Sequence, residues 1–224
     1  MTDLAHPAVM GPHIFEVCKQ FLPFKGCRVL DPFAGVGTTA TLLPEYNVVG
    51  VEIEKEWAQQ QPSTICGDSV VVVPTLGKFD AILTSPAYGN RMADDFKASD
   101  ESKRITYRHK LGRELSTGTT SNLHYGRGNR RYEKAHSNIW KVCVDALTES
   151  GVFILNCKDF IARGTQMEVT QWHVLSLISY GLNVLEHKKI PSRGMRFGTN
   201  YQKRVDYENI ICLGKFLNKV SRQA

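Results

Sequence analysis

The stretch Val29-Leu30-Asp31-Pro32-Phe33-Ala34-Gly35-Val36-Gly37-Thr38-Thr39 carries an apolar strand straight into a glycine-punctuated turn that opens a short helix. A buried parallel strand ending in an acid, a proline and two closely spaced glycines leaves its backbone bare at the carboxyl edge, where open α/β sheets bind their ligands. Asp31 stands at that edge. Gly35 and Gly37 let the main chain approach a ligand without a Cβ in the way, and Thr38 and Thr39 can cap the next helix. Several classes of nucleotide-binding protein share such a turn, so the turn alone does not choose among them.

Working outward, His13 to Leu22 has a helical period, with Ile14, Phe15, Val17, Cys18, Phe21 and Leu22 on one face, and Pro23 ends it. Cys27 to Asp31 is the first strand, and the helix after the turn is cut short by Pro44. Val48 to Ile53 reads as a second strand, Ser63 to Gly67 as a third and Phe79 to Thr84 as a fourth. Glu52 lies fifteen residues beyond Gly37, near the place where a ribose-binding carboxylate sits in a nucleotide-binding βαβ unit. Asp68, at the next strand end, is a second candidate polar contact, to an adenine. Glu54 to Gln61 is predicted as a short helix.

From Gly89 to Ser137 the apolar period disappears, and the window reads as an insertion too polar to build a core, mobile until something binds. Order returns with a helix over Asn138 to Ser150, capped by Gly151, then a strand over Val152 to Cys157 and a helix over Gln166 to Tyr180, closed by Gly181. Leu182 to Ile190 and Tyr207 to Lys215 read as two more strands joined without a helix. The pattern therefore predicts one α/β domain over residues 1–224, with seven strands, the last antiparallel on an otherwise parallel sheet.

The composition, 224 residues and 42% apolar, suits one core with a modest insertion. There is no run of about 18 apolar residues, and Met1 to Met10 lacks the build of a signal peptide, so the expected location is cytoplasmic, away from membranes. The six cysteines are scattered without a CxxC pair, which argues for reduced thiols and against a metal centre. The net charge of +6 is localised. Eleven Lys/Arg face six Asp/Glu between Gly89 and Ser137, and six Lys/Arg with no acid lie between Lys188 and Arg204. Basic character confined to two loops favours a polyanion partner.

Two strand ends, Asp31-Pro-Phe-Ala-Gly-Val-Gly-Thr-Thr39 and Thr84-Ser-Pro-Ala-Tyr88, are specific when taken together. Here the chain resembles the DNA amino-methyltransferases, S-adenosylmethionine-dependent enzymes that methylate the N4 amine of cytosine or the N6 amine of adenine. Their cofactor motif is typically DPFxGxGT, and their catalytic motif is Asp, Asn or Ser before Pro-Pro-Tyr or a close variant. The resemblance implies a Rossmann-like class I methyltransferase fold. It also implies that Asp31, Phe33, Gly35, Gly37 and Thr38 hold the methionine moiety of S-adenosylmethionine, that Glu52 takes the ribose hydroxyls, and that Asp68 takes the adenine amine. His6 and Pro7 resemble the family's motif ahead of the glycine loop, although Gly11-Pro12 stands where a Lys-Pro is common. Ser85, Pro86 and Tyr88 are the implied catalytic set. The chain departs at Ala87, where a second proline is usual, and alanine loses the fixed φ.

A base amine is a poor nucleophile because its lone pair is delocalised into the ring. Acceptors at the Ser85 hydroxyl and the Pro86 carbonyl can hold the two amine hydrogens and turn the lone pair toward the methyl donor. Tyr88 is expected to stack on a base rotated out of the duplex. A C5-cytosine mechanism needs a cysteine beside a proline, a setting no cysteine here has. Ser85 leans toward cytosine N4, with adenine N6, an RNA target or a non-catalytic nucleic-acid binder as alternatives.

Arg104, Arg108, Lys110, Arg127, Arg130 and Arg131, interleaved with Tyr107, Tyr125 and Tyr132, are expected to track phosphates and stack bases, with Arg193, Arg196 and Lys203 as a second wall. The expected partner is DNA in a bacterial or virus-infected bacterial cell. A reader this small suggests a short recognition sequence or a partner subunit, a homodimer among the options.

Overall fold

The computed structural model describes residues 6–89, 106–126, 130–192 and 203–215. The first element is helix α1 (Pro12–Lys19), then β1 (Arg28–Asp31), α2 (Thr38–Leu42), β2 (Asn47–Glu52), α3 (Lys55–Ala58), β3 (Thr64–Cys66), α4 (Ser69–Val72) and β4 (Phe79–Thr84). After α5 (Tyr107–Leu111) come α6 (Arg131–Ala146), β5 (Leu147–Cys157), the hairpin β6 (Phe160–Ala162) and β7 (Thr165–Met167), α7 (Val169–Ser179), β8 (Leu182–Pro191) and β9 (Tyr207–Lys215).

Seven strands form one sheet in the order β3-β2-β1-β4-β5-β9-β8. β1 to β5 pair in parallel, whereas β9 runs antiparallel to both β5 and β8. The sheet is thus the one expected from the sequence, with its reversed strand lying between β5 and β8. Both faces are covered over the central strands β1, β4, β5 and β9, which are apolar on both sides, whereas the edge strands β3 and β8 are largely exposed. Leu30, Ile82, Phe153, Leu155, Ile211 and Leu213 pack under α6 and α7, while their neighbours Val29, Ala81, Leu83, Ile154, Ile210 and Cys212 pack with α1 on the other face.

The topology decides where a ligand fits. From β1 the chain moves outward through β2 and β3, then returns to lay β4 on the other side of β1. That reversal opens a crevice at the carboxyl ends of β1 and β4. Asp31 ends β1 and Ser85 comes directly after β4, so the two sequence motifs are brought to one place.

Several expectations are corrected. The helix predicted over 138–150 begins at Arg131 and ends at Ala146, because Tyr132 and His136 continue its buried stripe through Trp140 at four-residue spacing. Leu147 is extended and pairs with Phe79, so Gly151 caps no helix. The β6–β7 hairpin turns at Arg163-Gly164, both at positive φ, and delays α7 to Val169. α4, unforeseen, is capped by Asp68, whose Oδ1 accepts from Val70 N–H at 2.9 Å. The 89–137 window is not the coreless insertion expected of it. Among its described residues, Tyr107 and Leu115 bury against Trp57, and Tyr132 is fully buried.

Candidate active site

One cavity at the crevice is lined by His6, Asp31, Phe33, Gly35, Thr38, Glu52, Asp68, Ser85, Pro86 and Tyr88. Ten of the twelve residues assigned from sequence to cofactor and catalysis therefore share one space. Pro7 and Gly37 are outside its lining. Gly37 answers a packing demand, since at φ +78° a Cβ would overlap the Gln61 side chain at 2.3 Å.

Asp31 is 5% exposed and is held by the fold. Its carboxylate accepts from Phe33 N–H at 3.1 Å, from the Thr39 hydroxyl at 2.6 Å and from the Thr84 hydroxyl at 2.8 Å. The last bond stitches β1 to β4 where the two motifs meet. Burial nevertheless raises its carboxyl above the ordinary range, with the three donors pulling the other way.

Glu52 ends β2, accepting from Gly35 N–H at 2.9 Å and Glu54 N–H at 2.8 Å. Burial raises its carboxyl from 4.5 to about 7 against the pull of those two donors. The Gly35 bond clamps the glycine turn to the second strand at φ +54°. The His6 imidazole closes over the same glycine, where a Cβ would stand 3.3 Å from its ring. It meets Trp57 edge-on at 4.4 Å, and burial lowers it to about 4, so it is neutral.

On the opposite wall the Ser85 and Tyr88 hydroxyls are 2.8 Å apart. Burial, with Glu208 nearby, raises the Tyr88 phenol well above its usual value, so it stays protonated. A serine hydroxyl has two lone pairs, so whichever partner donates, at least one on Ser85 stays open to an incoming N–H. Asn156 donates to Glu208 at 2.9 Å behind this pair.

Sequence reading missed several parts of the lining, Trp57 and Ile139 among them. Glu208 reaches the cavity from β9, a position with no motif around it. Gly118 to Ser121 close it from the segment after α5, and Tyr107 adds a ring. That segment is anchored by Arg113, which bonds Glu54 at 2.8 Å and also Glu56, while Ser116 donates twice to Glu54 at 2.9 Å. The buried Glu54 carboxylate is thus fully partnered. An arginine in a polar window gave no sign of this.

The basic residues divide. Arg108 pairs with Glu114 at 2.9 Å and donates to Asn122. Arg130, Arg131 and Lys203 are exposed, and Lys110 is half-buried. Arg104, Arg127, Arg193 and Arg196 lie outside the described residues. Tyr107 and Tyr132, expected to stack on bases, are instead buried in the protein at 5% and 0% exposure.

The sheet order, its single reversed strand and the crevice define the class I fold of S-adenosylmethionine-dependent methyltransferases. No family model and no curated protein matches the chain in sequence. Solved structures are similar in fold. TrmN from Thermus thermophilus superposes with a TM-score of 0.54 at 14% identity, over 96% of this chain and 52% of that one, so the chain spans about half its length. A precorrin-8w decarboxylase from Methanobacterium thermoautotrophicum gives 0.54 at 13% identity over 96% of both chains. Magnesium protoporphyrin IX methyltransferase from Synechocystis, solved with bound S-adenosylmethionine, gives 0.51 at 13% identity over 91% of this chain and 77% of that one.

Proposed function

We propose that this protein is an S-adenosylmethionine-dependent methyltransferase acting on the exocyclic amine of a base flipped out of DNA, with cytosine N4 favoured over adenine N6. One observation carries the reading: Ser85, Pro86 and Tyr88 open into the same cavity as Asp31, Glu52 and Asp68.

The lining fits the cofactor by donor chemistry. Glu52 and Asp68 only accept when ionised, which suits ribose hydroxyls and an adenine amine, and Gly35 leaves room beneath His6 that a Cβ would fill. When bound, S-adenosylmethionine supplies an electrophilic methyl group on a positive sulfonium. The protein's own part is to orient and to exclude water. Ser85 Oγ and the Pro86 carbonyl accept the amine hydrogens, and the Tyr88 contact fixes the serine rotamer before the base arrives. Gly118 to Ser121 cover the cofactor end of the cavity.

A second reading, an RNA base as target, is supported by a fold neighbour named for RNA methylation, a putative RNA methyltransferase from Pyrococcus horikoshii at a TM-score of 0.50. Nucleoside mass spectrometry on DNA and RNA from cells expressing wild type or Tyr88→Ala separates these readings. N4-methylcytosine in DNA, absent with the variant, is the expected result. N6-methyladenine would reassign the base, a methylated RNA nucleoside would reassign the polymer, and no methylated product would end the enzyme reading.

A further inference from the structure

Positioning an amine for in-line transfer requires Ser85-Pro86-Ala87-Tyr88 to stand still, yet alanine at 87 leaves φ free where a proline would fix it. The structure supplies a restraint from outside the loop. Tyr132 Oη is 2.5 Å from the Ala87 carbonyl oxygen and 2.9 Å from His173 Nε2, and Trp140 Nε1 is 3.0 Å from His173 Nδ1. Donor chemistry fixes the direction of each bond. An indole N–H can only donate, so His173 Nδ1 accepts. A neutral imidazole then carries its proton on Nε2, which donates to the tyrosine oxygen. The one O–H of Tyr132 is left for the Ala87 carbonyl.

All three side chains have no exposed surface, so water does not compete for these bonds. Burial also keeps His173 neutral and Tyr132 protonated, the states the chain requires. The far end of the loop is seated on the same ring. Gly89, at φ +72°, leaves space in which a Cβ would stand 3.0 Å from Tyr132 Cε2 and 2.8 Å from Tyr125. Trp140 and Tyr132 belong to α6 and His173 to α7, so two helices on one face of the sheet converge on one loop carbonyl.

We propose that Trp140, His173 and Tyr132 form a one-way hydrogen-bond chain that pins the Ala87 carbonyl, with Tyr132 as the positioning residue that replaces the rigidity of a second proline. The assignment rests on the reading of this loop as the transfer site, but the pin itself can be tested without turnover.

Tyr132→Phe keeps the ring and removes the bond. Hydrogen exchange measured by mass spectrometry on the full-length protein should show peptides spanning Thr84 to Gly89 exchanging at least about 10-fold faster in the variant, with α1 and β1 unchanged. In methyl transfer from S-adenosylmethionine to unmethylated genomic DNA, kcat should fall roughly 10- to 100-fold, the cost of a small misplacement of reacting groups, with KM for the cofactor within about 2-fold. Adding Ala87→Pro to Tyr132→Phe should recover most of the lost rate, a rescue that general destabilisation would not permit. Loop exchange unchanged by Tyr132→Phe, or already unprotected in wild type, would overturn the pin. A kcat that stays within 2-fold would overturn its role in positioning. If wild type transfers no methyl to DNA or RNA, the functional reading falls while the exchange result still judges the pin.

Discussion

Asp31 makes three hydrogen bonds within the protein before any ligand arrives, and two of its donors belong to different segments of the crevice. Asp31→Ala should therefore lose cofactor binding and also about 2–4 kcal/mol of stability, because buried donors are left unpaired; urea denaturation beside calorimetry checks both. Glu52 sets a pH dependence. Its folded-state value of about 7 lies above the ordinary 4.5, so the folded protein holds this proton more tightly than the unfolded chain. Its contribution to stability is then largest below about 4.5 and declines as pH rises to about 7. If Glu52 takes the ribose hydroxyls as proposed, cofactor affinity runs the other way, since those hydroxyls donate to the ionised form: binding should tighten as pH rises through about 7. Titration calorimetry between pH 5.5 and 8.5 should show that rise in wild type and lose this component in Glu52→Gln. At this scale the acids at strand ends were legible in the sequence because an apolar run that stops at an acid marks the carboxyl edge of the sheet. Glu208 was not, because its neighbours in the cavity come from distant segments.

The segment over residues 106–126 lies as a strap against the cavity, which it lines with Tyr107 and Gly118 to Ser121. Its tie is the Arg113 guanidinium on Glu54 and Glu56, which holds the Glu56 carboxyl down at about 2. Removing Arg113 leaves Glu54 buried with only Ser116 as side-chain partner. Arg113→Ala should cost about 2 kcal/mol, less than a fully enclosed pair because the arginine is partly exposed, and should weaken cofactor binding several-fold; urea midpoints and calorimetry report the two effects separately. The sequence misled here for a physical reason. Hydrophobic period is the signal of packing, and this strap is held by charge pairs, hydroxyls and only a few rings, so its pattern resembled an unstructured insertion. The same cause hid the first two turns of α6, whose buried face begins with Tyr132 and His136.

Over the whole molecule, the central parallel strands β1, β4 and β5 were readable because their residues are apolar toward both layers. Their order was not, since pairing is set by the crossover and by which edges remain uncovered. The charge is equally a property of the whole. If DNA is the partner, the logarithm of affinity should fall linearly with the logarithm of salt concentration, and Lys203→Ala should reduce that slope by about 1 while leaving sequence preference unchanged; fluorescence anisotropy at several salt concentrations measures it. The reversed strand has a further consequence in time. Among the described residues β8 pairs with no strand except β9, and β9 is the last described element to leave the ribosome. While the chain is being synthesised, β1 to β5 can assemble first and β8 must wait for a partner made after it. A released chain truncated before Tyr207 should therefore resist proteolysis through β5 and be cut within β8.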